Sequence, residues 1–274
     1  ANSPKTALVL TGGGARAAYQ VGVLLAVSKL SSNRRRNPFP ILCGTSAGAI
    51  NAAGIACVAD NFGKGVSVLA SFWRNMHASD IYRADPLGLG LSGAHWMTML
   101  TLGWLIRSRP KSLLDNSPLR ELLTRHLDFR GIERSIANGA LHALSISASG
   151  YESGDNINFF QGHADAQPWH RVQRIGIRSE IGVDHLLASS AIPFIFPATK
   201  IHREFFGDGS MRQLAPISPA IHLGAERVLI VGAGRKNEHH ERRRVDGHPP
   251  PAQIAGHALS SIFPDSLAVD IERM

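Results

Sequence analysis

Between Ser46 and Ala59 the chain carries no charged side chain. The segment reads SAGAINAAGIACVA, small and apolar almost throughout. A helix of that make-up offers no face to water and belongs in the centre of a fold. It follows a short apolar run, Ile41-Leu42-Cys43, through one tight turn at Gly44. The same succession stands earlier in the chain. Thr6 to Leu10 (TALVL) is apolar and β-rich, Thr11-Gly12-Gly13-Gly14 breaks it, and a helical pattern runs from Ala15 to Leu30 with Ala18, Val21, Leu25 and Ser28 on one stripe. Strand, glycine loop, helix, strand, tight turn and helix predict the opening of a parallel α/β sheet.

Composition narrows the class further. With 274 residues, 44% hydrophobic and 18% charged, the chain can bury a sizeable core and is not a disordered polymer. A net charge of +8 suits anionic partners without choosing among them. The two cysteines, Cys43 and Cys57, make neither a disulfide framework nor a CxxC metal motif. They read as buried free thiols, and no metal or cofactor is expected. The first residue is Ala1 and no basic-then-apolar leader follows, so a processed or trimmed start and a cytoplasmic location are the expectations. The last residues, 263–274, read as a helix cut short.

Further along, Gly65 to His77 and Ser117 to Leu127 are predicted helices, the second capped by Ser117 with Pro118 in its first turn. Pro86 to Ile106 contains no Asp, Glu, Lys or Arg, but Gly88, Gly90, Gly93 and Gly103 interrupt it. The segment reads equally as a lipid-facing cap or lid and as an ordinary buried segment; Trp96, Trp104 and the basic residues after it favour peripheral contact with a membrane surface over a span. Leu141 to Ser149 and Ile157 to Gln161 are expected to form a hairpin. Asp184 to Ser190 is a short helix, and Ile201 to Phe206 and Arg227 to Val231 are strands. One domain is expected over 1–274, with its core at about 6–234, a polar loop at 235–251 and a C-terminal helix at 252–274.

Three short motifs carry chemistry. Gly44-Thr45-Ser46-Ala47-Gly48 fits the GxSxG elbow, in which a serine stands on a sharp strand-to-helix turn and glycines let the two elements approach. The helix start then faces developing negative charge. Gly12-Gly13-Gly14-Ala15-Arg16-Ala17 has two readings. It matches the dinucleotide fingerprint GxGxxG/A, but the acid expected at the end of the second strand is missing. Alternatively, consecutive glycines expose backbone N–H groups that can cradle an oxyanion, with Arg16 adding positive charge. Asp208-Gly209-Ser210 places a carboxylate at a strand end. A second Asp-Gly, at Asp246, sits in a solvated basic stretch unsuited to a general base. The histidines late enough to complete a Ser-Asp-His order are His222, His239, His240, His248 and His257, and none has a distinguishing context. The Arg34–Arg36 and Arg242–Arg244 runs read as solvated loops, so no nucleic-acid partner is expected.

GGGARA at 12–17, GTSAG at 44–48 and DGS at 208–210, in this order, resemble the patatin-like phospholipases. Ala188-Ser-Ser-Ala-Ile-Pro193, Phe196-Pro197, Pro216 and Gly224-Ala225 before a Val/Ile strand extend the likeness across about residues 6–234. The resemblance implies a three-layer α/β/α sandwich on a mainly parallel sheet and calcium-independent hydrolysis of phospholipid or other lipid acyl esters. It implies a dyad instead of a triad, with Ser46 as nucleophile, Asp208 as its base and Gly12 to Gly14 as the oxyanion loop. Ala17 stands where the family usually has Gly, and Ser210 where it has Gly or Ala; neither change removes a reacting group.

Overall fold

The computed structural model describes residues 4–83 and 112–233. The readings of 86–106, 235–251 and 252–274 lie outside the described residues. Among the described residues the sheet has nine strands: β1 (Thr6–Leu10), β2 (Ile41–Thr45), β3 (Ala143–Gly150), β4 (Asn156–Gly162), β5 (Trp169–Arg171), β6 (Arg174–Arg178), β7 (Thr199–Ile201), β8 (Glu204–Asp208) and β9 (Arg227–Val231). Its main path runs β5-β6-β4-β3-β2-β1-β9. The strands β9, β1, β2 and β3 are parallel neighbours, and β4 returns antiparallel to β3. This is the mixed, mostly parallel α/β architecture expected.

Seven α-helices are described: α1 (Ala18–Leu30), α2 (Ala47–Ala56), α3 (Phe62–Asn75), α4 (Ser117–His126), α5 (Arg130–Ala137), α6 (Val183–Ser189) and α7 (Ser218–His222). Period-two alternation divides the core. Leu8 and Leu10 of β1, Leu42 of β2 and Leu144 and Ile146 of β3 face one side, where α1 to α6 pack. Ala7, Val9, Ile41, Cys43 and Ala143 face the other, against Ala220 of α7 and Leu223. Parallel strands covered on both faces read as continuous apolar runs, which is why TALVL and ILC show no alternation. The uncharged helix is where its composition requires: nearly every residue of α2 is buried. Both thiols are buried too, and burial pushes Cys43 and Cys57 up to about 12, so they are inert at neutral pH.

Four expectations need correction. The strand read over Ile201 to Phe206 is a hairpin, because His202 sits at φ 53° in the turn between β7 and β8. The helix expected from Ala15 starts at Ala18, after a tight turn over Gly14–Ala17. The helix expected from Gly65 starts at Phe62, capped by the Asn61 side chain. Ser117 does not cap α4; Asn116 holds the cap position, and the Ser117 hydroxyl donates to Asp115 at 2.5 Å.

Candidate active site

Sheet register brings the sequence-distant motifs together. β2 pairs with β3 over residues 143–147 and then leaves the sheet as α2. β4 occupies the other edge of β3. β8 takes the edge that β2 vacates, with Asp208 opposite Ala148. Ser46 follows Thr45, which lies opposite Ser147. The end of β8 therefore meets the start of α2, and the Ser46 hydroxyl donates to Asp208 Oδ2 at 2.7 Å. Both residues are buried, Asp208 with 1% exposure.

The elbow is strained and held. Ser46 has φ 54° and ψ −127°, a conformation that costs a residue with a side chain roughly 1–3 kcal/mol. Its amide N–H donates to Ser189 Oγ at 2.8 Å, and that hydroxyl donates to the Ser147 carbonyl at 2.6 Å. The glycines are required by close approach. A Cβ at Gly44 would lie 2.5 Å from Ala49 Cα, and one at Gly48 would lie 2.3 Å from the Leu10 carbonyl oxygen. At Gly209 a Cβ would meet the Ser147 carbonyl oxygen at 2.2 Å.

Asp208 is a carboxylate taken out of water. Burial pushes it up to about 6, against the opposing pull of hydrogen bonds from Ser210 and Ser46. The Ser210 N–H donates to Oδ1 at 2.8 Å, which leaves Oδ2 for Ser46. Among the described residues no histidine hydrogen-bonds either member of the pair. His222 instead stacks on Trp169 with ring centroids 5.0 Å apart. The glycine loop lies alongside: a Cβ at Gly12 would be 3.2 Å from Ser46 Cβ and 2.5 Å from Ser210 Oγ. Gly13 packs on Ala233, and Gly14 takes φ 56°. Ala15 and Arg16 are exposed, and Arg16 Nε turns back to the Gly13 carbonyl at 3.5 Å.

Sequence reasoning missed the polar shell behind the pair. Gln213 donates to Thr45 Oγ1 at 2.7 Å, Ser147 donates to Asn158 at 2.8 Å, Asn158 to Asn156 at 3.1 Å, and Asn156 to the Gly209 carbonyl at 3.2 Å. A second network holds the glycine loop: Gln20 donates to the Thr11 carbonyl, while Asn51 donates to Gln20 and to the Ala17 carbonyl. Serines and asparagines in apolar runs are the signal that was available, since buried polar groups need partners. Replacing Ser189 by Ala would leave the Ser46 N–H and the Ser147 carbonyl without this partner. We expect a loss of about 1–3 kcal/mol in denaturant unfolding for each group so orphaned. An unchanged unfolding midpoint would contradict a structural role for this hydroxyl.

The family match agrees with this architecture. The family model described as "Patatin-like phospholipase" matches residues 8–221. A curated relative, the "cGAMP-activated phospholipase" of Pseudomonas aeruginosa (strain BWHPSA011 / Pa011), is 26% identical over 209 residues, 76% of this chain and 53% of that protein. Among solved structures, VipD from Legionella pneumophila superposes with a TM-score of 0.42 and 15% identity over 76% of this chain and 46% of that one. The chain thus spans about half the length of these proteins. A family model covering most of the chain, over the same span that carries GGGARA, GTSAG and DGS, shows that it belongs to the patatin-like phospholipase family.

Proposed function

We propose that the protein hydrolyses lipid acyl esters, of the phospholipase A or lysophospholipase type, through a covalent acyl-enzyme on Ser46. The observation that carries this reading is the 2.7 Å hydrogen bond from a strained, helix-capping serine to a fully buried carboxylate. A free hydroxyl is a poor nucleophile, so a positioned base must remove its proton. Asp208 takes that proton as Ser46 Oγ bonds to the ester carbonyl carbon. Backbone N–H groups of Gly12 to Gly14 and the start of α2 stabilise the oxyanion. The proton on Asp208 then passes to the leaving alcohol or lysolipid, and water, deprotonated by the same carboxylate, releases the fatty acid. As the likeness to the patatin-like phospholipases implies, activity is expected to persist in a calcium chelator.

The dinucleotide reading finds only Gly44, Thr45 and Ser46 where an acidic ribose partner would stand. Lipid substrates, with peripheral contact at a membrane surface, fit the family and the chain's positive charge. Among the described residues no helix is long and apolar enough to cross a membrane.

A fluorophosphonate probe followed by peptide mapping tests the nucleophile. Labelling should fall on Ser46, disappear in Ser46→Ala, and be accompanied by turnover across a phospholipid panel. Labelling elsewhere, or full turnover by Ser46→Ala, would overturn the assignment. The base must be ionised to act, and burial raises its proton affinity. Activity should therefore rise with pH through about 6 and level off above it. A flat kcat/KM profile from pH 4.5 to 7.5 would exclude Asp208 as the base.

A further inference from the structure

We propose that His142, His163 and Asp165 form a binding site for a divalent late first-row transition ion of the zinc type, separate from the esterase centre. His142 immediately precedes β3 and His163 immediately follows β4, and the His163 N–H donates to the His142 carbonyl at 2.8 Å. Antiparallel pairing thus sets the two imidazoles side by side, with ring centroids 6.0 Å apart and 27° between planes. Asp165 closes the group: its Oδ1 lies 2.7 Å from His163 Nδ1 and 3.8 Å from His142 Nε2. One ligand atom from each residue falls within 4.8 Å of the others. Around a tetrahedral ion with bonds of ~2.0–2.2 Å, neighbouring ligand atoms are separated by roughly 3.3–3.6 Å. The two measured edges bracket that spacing, and small rotations of exposed side chains would equalise them.

Two further features mark the place as suited to a cation. The Lys5 ammonium already sits there, 3.3 Å from His142 Nε2 and 3.7 Å from Asp165 Oδ2. His142 accepts from that ammonium through a ring nitrogen lone pair, the same pair a metal would use. The turn carrying the other two ligands is also pinned from behind. Arg178 donates to the carbonyls of Gly162, His163 and Ala166, while its guanidinium lies over the Phe160 ring at 5.3 Å. Such outer contacts pre-orient ligands and raise affinity. Two imidazoles with one carboxylate select zinc-like ions over calcium or magnesium, which prefer all-oxygen sets. The site lies where β1 and β3 begin, whereas Ser46 follows the far end of the parallel strand β2. Its role is to clamp the β3–β4 pair and the 163–166 turn, with Lys5 and the metal competing for one position.

The experiment is calorimetric titration of zinc chloride into tag-free, chelator-stripped protein at pH 7.5, with a thermal melt at each ratio. We expect one saturable micromolar equivalent and a rise in Tm. His163→Ala and Asp165→Asn, both exposed and compatible with folding, should each weaken binding by about 10–100-fold and remove the Tm rise. Lys5→Met should bind more tightly. His170→Ala, an exposed strand histidine that is not one of the three ligands, should bind as the parent does. Zinc binding that is unaltered in the His163→Ala/Asp165→Asn double variant, or no saturation at millimolar zinc, would overturn the site. Equal or weaker binding by Lys5→Met would overturn the shared position.

Discussion

Asp208→Asn should lower kcat by about 10²–10⁴-fold and, at pH 8, make the protein more stable than its parent. Both effects have one cause. A carboxylate with 1% exposure is ionised in the folded state only against its own desolvation, which moves it from 3.8 to about 6. The sign follows from proton linkage. Between those values the folded chain holds more protons than the unfolded one, so stability falls as pH rises through the window and stays lower above it. A shift of about two units corresponds to about 3 kcal/mol, the upper limit of what neutral Asn could recover. Asn fits the same partners: its oxygen can accept from the Ser210 N–H and its amide can donate to Ser46 Oγ, as the present hydrogen bonds run through those two positions. At pH 4 the parent carboxyl is neutral when folded and only partly ionised when unfolded, so the advantage should shrink to below about 1 kcal/mol. Ser46→Ala is the contrasting case. It removes a hydrogen bond from the buried carboxylate and leaves the positive φ in place, so it should lose turnover without gaining stability at pH 8. Thermal melts of the three proteins at pH 4 and pH 8, beside single-turnover ester cleavage, measure all of this. Parent-like kcat in Asp208→Asn, or a stability difference from the parent independent of pH, would refute the account.

The parts of the site that could be read from the chain are those written in local pattern. TALVL and ILC announce buried strands, and the uncharged segment announces α2. The glycines at 44 and 48 mark the crowding between strand and helix, and the Ser46 conformation is the consequence. What stayed hidden depends on register over long separations. Ser189 reaches Ser46 across 143 positions and Gln213 reaches Thr45 across 168, so neither has a local signature. His142 and His163 meet only because β3 and β4 pair in one register. The hairpin of β5 and β6 was missed for a different reason. It lies at the sheet edge, with Gly176 packed under Trp169, and its polar, partly exposed residues resemble a loop. The turn within Ile201 to Phe206 escaped because His202-Arg203 lacks the glycine or asparagine that usually marks a positive φ.

Gly48→Ala should destabilise the protein by about 3 kcal/mol or more and abolish fluorophosphonate labelling of Ser46. The added methyl would lie 2.3 Å from the Leu10 carbonyl oxygen and 2.6 Å from that of Thr11. Neither oxygen belongs to a side chain that could swing aside. Leu10 is paired on both flanks, to Gly44 of β2 and Val231 of β9, and the Thr11 carbonyl accepts from the buried Gln20 amide at 2.8 Å. With β1 fixed, α2 must retreat, and it would carry Ser46 away from Asp208. Gly22→Ala separates this effect from glycine chemistry in general. Gly22 lies in α1 with open space where a Cβ would go, so Ala there should stabilise by roughly 0.5–1 kcal/mol and leave labelling unchanged. Urea unfolding and probe labelling of both variants decide the matter. If Gly48→Ala unfolds at the parent midpoint and still labels at Ser46, then the contact between β1 and α2 does not hold Ser46 in place, and the strain at φ 54° must be maintained from the Ser189 side alone.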